Sequence, residues 1–279
     1  VFLENSVDKT GITKEAMDRI SQMSNGEIVI LENIRKASGE KKNDEVLRNQ
    51  LSSLADETGV NAWGAAHRPH ASMMPVGGNR FMGMLIEKEV RMWSKLLDPN
   101  RGTIVAVFGG KKVEDKVDLM EAYLEFLRDG DVIEIGGAMA FPFLLALDPA
   151  FMKVLDSVKN LLNSDKDEDK KKAEAILKDA AKPILGKSSV EVLKVETAGR
   201  ILEAAKAKGL TVLLPEDHYI TTDLKVGAPK EATANEVVKE GWMAVDIGPK
   251  TIKKYAETVK KVVGQDHGIF VWNGPVGAF

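Results

Sequence analysis

Apolar positions along this chain fall alternately into short continuous runs and helical stripes. Ile104 to Phe108 is a β-branched, apolar run that reads as a strand buried on both faces, and Gly109 and Gly110 stop it before a charged helical pattern. Leu119 to Leu127 continues that helix, Val132 to Ile135 is a strand, and Gly136-Gly137-Ala138 opens a second strand-to-helix turn into Met139 to Leu147. Phe151 to Ala181 is helical around a mixed-sign run, Ser164 to Lys172, expected to be solvated and away from any site. Ile201 to Ala207 is a helix ended by Gly209, and Thr211 to Leu214 is a buried strand. After a polar stretch to Glu240 come the turn-like Asp246 to Pro249, a helix from Lys250 to Val263 and a last strand from Gly268 into a glycine- and proline-bounded loop.

The first third is patterned less regularly. Val1 to Leu3 reads as a strand, Thr13 to Met23 as a helix with a threonine N-cap, and Glu27 to Leu31 as a short buried strand. Val46, Leu47, Leu51 and Leu54 mark the apolar face of a helix. Gly59 to Ser72 is read as an irregular loop dense in anion-capable groups: His67, Arg68 and His70 around Pro69. Met82, Leu85, Ile86, Val90, Trp93 and Leu97 form a helical stripe ended by Asp98-Pro99, read as core rather than a cofactor box. The βαβα order predicts mostly parallel sheets with helices on both faces.

Composition narrows the function classes. The 279 residues carry 39 Lys+Arg against 42 Asp+Glu, a net charge of −3, so no global field draws nucleic acid or an anionic membrane. The absence of cysteine excludes disulfides and thiolate metal sites, and the four histidines show no ligand spacing. No apolar run approaches the ~20 residues of a membrane span, and the start lacks the regions of a signal peptide, so a soluble, cytoplasmic protein is expected. Because the chain starts strand-like without methionine and ends at Phe279 just after a strand, both ends are expected to be cut.

The candidate chemistry lies at the carboxyl ends of strands, the ligand-binding edge of open α/β sheets. Arg35 stands just past one such strand. After Phe108, two glycines would let an anion approach the first turn of a helix, where unpaired N–H groups and the dipole favour negative charge. Lys112 and Lys116, four apart, are expected on one face of that helix. The spacing is neither a P-loop nor a dinucleotide fingerprint, and alone it reads more readily as a tight turn with solvated lysines.

Taken together the motifs are more specific. Leu31 to Arg35, Ala62 to Ser72, Gly109-Gly-Lys-Lys-Val-Glu-Asp-Lys116, Gly136 to Phe141, Gly241-Trp-Met-Ala-Val-Asp-Ile-Gly-Pro249 and Trp272-Asn-Gly-Pro-Val-Gly277 stand in one order across nearly the whole chain. In this the sequence resembles phosphoglycerate kinase. The resemblance implies two Rossmann-like, parallel-sheet, three-layer α/β units, the first incomplete: a phosphoglycerate-binding domain over 1–81, a connecting helix over 82–98 and a nucleotide-binding domain over 99–279. It implies phosphoryl transfer between 1,3-bisphosphoglycerate and ADP, giving 3-phosphoglycerate and ATP, with Mg2+. Arg35, Arg68 and His67 would bind the phosphoglycerate. Lys112 and Lys116 would be catalytic, and Gly110, Gly137, Asn273, Pro275 and Gly277 would join them in holding the nucleotide, with no metal-ligating residue in the chain. The expected partners are these small molecules alone, and a monomer is expected, with neither nucleic acid nor membrane.

There are departures. Lys111 replaces the family's usual alanine, Asn61 a common aspartate and Ala138 a third glycine, and the segment between Leu147 and Gly186 is longer. The family's first strand, with its arginine, and its later glycine-rich helix start would lie outside the chain. The alternative is therefore an inactive fragment that keeps only a nucleotide- or anion-binding α/β domain.

Overall fold

A computed structural model describes residues 1–74, 78–114, 116–225, 231–233 and 238–278. Asp115 of the lysine motif and Phe279 lie outside the described residues. The chain divides into two compact units, Val1–Lys95 and Leu96–Phe279.

The first unit runs β1 (Phe2–Leu3), β2 (Val7–Asp8), β3 (Gly11–Ile12), α1 (Lys14–Ser21), β4 (Ile30–Leu31), α2 (Glu45–Ser52), β5 (Glu57–Val60), α3 (Trp63–Ala66), β6 (Asn79–Met82) and α4 (Met84–Ser94). Thr13 caps α1 as its position predicts, the side chain accepting from the Ala16 N–H. The strands form three two-stranded sheets: β1 with β4 and β5 with β6, both parallel, and the antiparallel pair β2–β3. Val7, Ile12, Ala16, Ala37, Leu47 and Ala71 make the core.

Four expectations are corrected here. The strand read over Glu27 to Leu31 is only Ile30–Leu31, and Ile28 and Ile30 are exposed because a two-stranded sheet covers little of either face. Val46 points to solvent, leaving Leu47 as the buried residue of α2. The stretch from Gly59 is not wholly irregular, since β5 reaches Val60 and pairs with β6 some twenty residues on. Finally, the stripe read as core is mostly exposed: Ile86 is buried, whereas Met82, Leu85, Val90, Trp93 and Leu97 are not. The unit's core is built from other elements, so an apolar stripe alone did not decide burial.

Helix α4 starts after Gly83, which has no side chain to cap it; the Asn61 side-chain oxygen Oδ1 takes that role, accepting from Leu85 N (2.8 Å) and Ile86 N (3.3 Å). Asn61→Ala is therefore expected to lower stability by about 1 kcal/mol, the usual cost of a lost cap, while Asn61→Asp keeps the acceptor and adds a favourable charge. Urea unfolding of the two variants checks this, and equal loss in both would remove the capping role.

The second unit runs β7 (Ile104–Phe108), α5 (Val117–Phe126), β8 (Val132–Ile135), α6 (Ala140–Ala146), α7 (Pro149–Leu162), α8 (Asp167–Leu185), α9 (Val195–Ala207), β9 (Thr211–Leu213), β10 (His218–Thr221), β11 (Glu231–Ala232), β12 (Met243–Ile247), α10 (Pro249–Val263) and β13 (Ile269–Asn273). A parallel sheet in the order β13-β7-β8-β9 is the frame. Successive strand residues face opposite sides, so Ile104, Ala106, Phe108, Ile133 and Ile135 pack with α5 and α9, while Val105 and Val132 pack with α10 through Val259 and Val262. At the amino ends of β7 and β8 a buried, bidentate Arg101–Asp131 pair (3.0 and 2.7 Å) is saturated by further bonds to Ile104 N, Arg128 N, Leu96 O and Phe126 O.

The long segment after Leu147 forms an antiparallel pair, α7 against α8, closed by Phe151, Leu155 and Val158 on Ala173, Leu177 and Ala181. The charged run is not all excursion: from Asp167 it is the first turn of α8, where three acidic residues face the helix dipole. Most of its residues are exposed. Thr211–Leu213 is an edge strand and only half-buried, not the buried strand its apolar run predicts. The polar stretch to Glu240 and the turn-like residues after it hold a separate antiparallel sheet, β11-β10-β12, so the unit is not parallel throughout.

Candidate functional site

Parallel strands bring their carboxyl ends to one edge, and in the second unit that edge gathers three glycine turns. Asn273 lies level with Phe108, and Phe108 with Ile135, so the loops after β13, β7 and β8 leave the sheet together. They then bond to one another: Gly109 N to Asn273 O (2.9 Å), Gly136 N to Phe108 O (2.8 Å) and Gly137 N to Val276 O (2.7 Å). Glycine is required by contact as well as conformation. A Cβ on Gly109 would sit 2.3 Å from Pro275 O, and one on Gly137, where φ is +68°, would sit 2.7 Å from Gly110 O.

The helix expected to carry Lys112 and Lys116 begins later. Residues 109–114 are irregular and α5 starts at Val117, so the two lysines do not share a helix face. Two contacts account for this. Val113 is fully buried in the core, and Glu191 reaches back to accept from Val113 N (2.6 Å) and Glu114 N (3.3 Å), holding the backbone in a loop. Lys194 pairs with Glu114 (3.0 Å) beside it. Lys111 and Lys112 are exposed; Lys116 is half-buried, and its Nζ donates to Asn273 Oδ1.

Two adjoining cavities open here. One, about 380 Å³, is lined by Gly109, Gly110, Lys111, Lys112, Lys116, Gly274 and Pro275. The other, about 360 Å³, shares Gly110, Lys111 and Pro275 and continues between Gly137, Phe141, His218, Leu224, Met243, Val245 and Gly277. A cationic end thus adjoins a largely apolar slot, an arrangement suited to a ligand with an anionic part and a flat apolar part. The slot's one carboxylate, Asp246, accepts from Ile247 N (2.8 Å). His218 is 2% exposed, with its ring edge-on to Phe141 at 5.7 Å. Burial lowers its pKa to about 4, against the opposing pull of Asp217 and the Asp246 backbone, so the imidazole is neutral near pH 7. Asp217 itself stays ionised: burial opposes the charge, but bonds from Lys250 N (2.9 Å) and Thr251 outweigh it, and these cap α10, whose N-cap is Gly248.

Of the residues singled out from sequence, Gly110, Lys112, Lys116, Gly137, Asn273, Pro275 and Gly277 are thus gathered at this edge. Arg35, His67 and Arg68 belong to the first unit, where all three are exposed. Their loops are tied by the buried Glu40, which accepts from Ser72 N (3.0 Å) and Ser72 Oγ (2.7 Å) and lies 3.7 Å from His70 Nδ1. Lys111, the departure from the family's alanine, lines both cavities, and sequence reasoning missed Glu191, His218, Met243 and Val245. Met243 and Val245 stood inside a quoted motif; Glu191 and His218 carried no local signal.

A family model described as phosphoglycerate kinase matches residues 2–279. The phosphoglycerate kinase of Clostridium novyi (strain NT) is 32% identical over 277 residues, covering 98% of this chain and 59% of that protein. That of Anaeromyxobacter sp. (strain K) is 34% identical over 284 residues, covering 100% of this chain and 60% of the relative. Among solved structures, phosphoglycerate kinase from Coxiella burnetii superposes with a TM-score of 0.64 at 27% identity, over 90% of this chain and 55% of that one. The chain therefore spans about 60% of the length of the curated relatives it matches.

Proposed function

The chain belongs to the phosphoglycerate kinase family, and from that premise we propose that it carries the nucleotide side of a kinase transferring a phosphoryl group between 1,3-bisphosphoglycerate and ADP. The observation that carries the reading is the paired cavity: lysines 111, 112 and 116 around glycine turns, continuous with an apolar slot. The lysines and turn backbones hold the phosphates, and the slot takes the base. Phosphoryl transfer asks little covalent chemistry of the protein, so placing the two substrates and neutralising charge are the roles left to these side chains. Lys112, with an exposed side chain, meets the transferring group; Lys116, oriented by Asn273, holds the nucleotide's phosphates. Arg35, Arg68 and His67 serve the phosphoglycerate, guanidinium forks being matched to phosphate and carboxylate oxygens.

Magnesium belongs to this reading as part of the nucleotide complex. Among the described residues no group of three or more potential ligands is assembled, and Asp246 in the slot is already bonded to backbone. The residues do not fit a protein-held ion, and no step is assigned to one. The remaining parts of the proposal are a monomeric, cytoplasmic protein and a division into domains over 1–81 and 99–279 about the helix of 82–98. Among the described residues no helix is long and apolar enough to cross a membrane.

Calorimetric titration of the 279-residue chain with Mg·ADP tests the site. Saturable binding is expected, weakened at least about tenfold by Lys116→Ala, since a charge-assisted contact to phosphate is lost. Binding untouched by that replacement would overturn the assignment.

A further inference from the structure

Lys111 and Lys112, the two exposed lysines at the phosphate end of the site, stand on a span clamped at both ends. On one side Gly110 O accepts from Met139 N (3.1 Å); on the other, Glu191 Oε2 accepts from Val113 N (2.6 Å) and Glu114 N (3.3 Å). Glu191 immediately precedes the short helical turn Val192–Lys194, a place from which a side chain commonly caps the turn it starts, yet it makes no such bond and directs its carboxylate to the lysine loop. Both ends of the link are seated in core: Val113 is fully buried with residues of β7, α5 and α9, and Val192, next to Glu191, is 1% exposed in the core built by α7 and α8. Lys194, from the same turn, adds a second tie by pairing with Glu114 (3.0 Å).

We propose that Glu191 is a positioning residue for phosphoryl transfer: by holding the two N–H groups that follow Lys112 in the chain, it fixes where the loop presents that lysine to the transferring group. This rests on the function proposed above and deepens it. Two residues between two clamps leave the backbone few ways to move, so the freedom that remains to Lys112 is that of its own side chain. Without the Glu191 acceptor, two N–H groups beside a buried valine lose their partner and the span loses one of its anchors. A displacement of about 1 Å is enough to slow a reaction that depends on placement. The charge of Glu191 works against the site, because a carboxylate beside a loop that receives phosphate repels it. Reach and an acceptor oxygen are what the role requires.

Two variants separate reach from charge. Glu191→Gln keeps the length and an acceptor oxygen without the charge, whereas Glu191→Asp keeps the charge but withdraws the oxygens by one methylene. In a full-length protein, Glu191→Asp and Glu191→Ala are expected to lower turnover at least about tenfold while raising the KM for ADP no more than a few-fold, and Glu191→Gln to stay within about threefold of the unmodified enzyme. Added to Lys112→Ala, Glu191→Asp is expected to lower turnover no further, because the residue acts through that lysine. Circular dichroism establishes that each variant folds; if the alanine variant does not, the aspartate and glutamine variants decide. Unchanged turnover in Glu191→Asp, a loss in Glu191→Gln as large as in Glu191→Asp, or losses that multiply in the double variant overturn the positioning role. Titration of the unmodified 279-residue chain with Mg·ADP then tells the two failures apart: binding leaves the nucleotide site standing with Glu191 as a structural tie alone, and absence of binding removes the reading on which the role rests.

Discussion

On the function proposed above, Lys112→Ala in a full-length protein is expected to lower turnover of phosphoryl transfer by about a hundredfold or more, with little change in the KM for ADP, as removal of one charge-stabilising group often does. The physical ground is the difference between its two neighbours. Lys116 is half-buried and held by Asn273, so its charge is in place before any substrate arrives and, on that proposal, would act on the nucleotide in ground state and transition state alike. Its loss raises KM as well. Lys112 has an exposed side chain on a loop whose backbone is anchored by Val113 in the core and by Glu191, so the ammonium is free to follow charge as it moves between substrates. Interactions stronger in the transition state than in the ground state lower turnover when removed. Lys111 lines both cavities, so Lys111→Ala is expected to weaken ADP binding a few-fold and to leave turnover near normal. Steady-state kinetics on the three alanine variants of a full-length protein, together with ADP titrations, separates these outcomes. A larger fall in turnover from Lys111→Ala than from Lys112→Ala would reassign the catalytic lysine.

Stability of the second unit is expected to fall as pH rises from about 4.5 to 8, because of Glu134. This residue is 1% exposed on β8, facing α10 between Val107 and Leu213 of the neighbouring strands, and its Oε1 has no partner among the described residues. Burial raises its pKa from 4.5 to about 8. In that window the unfolded chain releases the proton and the folded chain retains it, so the unfolded state binds fewer protons and stability declines with pH, levelling off above about 8. At about 1.4 kcal/mol per unit, the loss between pH 5.5 and 8 is on the order of 3 kcal/mol. Glu134→Gln abolishes this contribution, and Glu134→Leu, matching the valines and leucine around it, adds stability at pH 8. Urea unfolding of the chain and its variants at the two pH values measures it as the difference between profiles, which cancels other titrating groups. Parallel profiles for the unmodified chain and Glu134→Gln would show that the carboxylate is ionised and solvated in the folded state.

Glu134 also marks where reading the sequence stops. Val132-Ile-Glu-Ile135 was legible as a strand because three of four residues are apolar, and it is one. The cost of the fourth depends on α10, whose Tyr255 hydroxyl lies within 2.9 Å of the carbonyls of Ile135 and Leu213. Nothing near residue 134 in the chain reports that. The same limit explains the missed antiparallel sheet: Tyr219 pairs with Asp246 and Ala232, and with pairs this far apart each segment alone reads as a polar connection.

By itself the sequence determined what local physics controls. The β-branched run of β7, the spacing of α10, the threonine cap of α1 and the glycine turns after β7 and β8 are written in consecutive residues, because strand, helix and turn preferences act over a few positions. The ordered motifs likewise made the family legible. Tertiary structure decided the rest. Glu191, 78 residues from Val113, takes the N–H groups that would have begun a helix at the lysines and so sets their loop. Asp217 caps α10 from the bend before β10, and Asn61 caps α4 in place of a side chain that Gly83 lacks. In each case a polar group from far along the chain satisfies a backbone donor, and whether it can is settled by packing, which no short stretch of sequence contains.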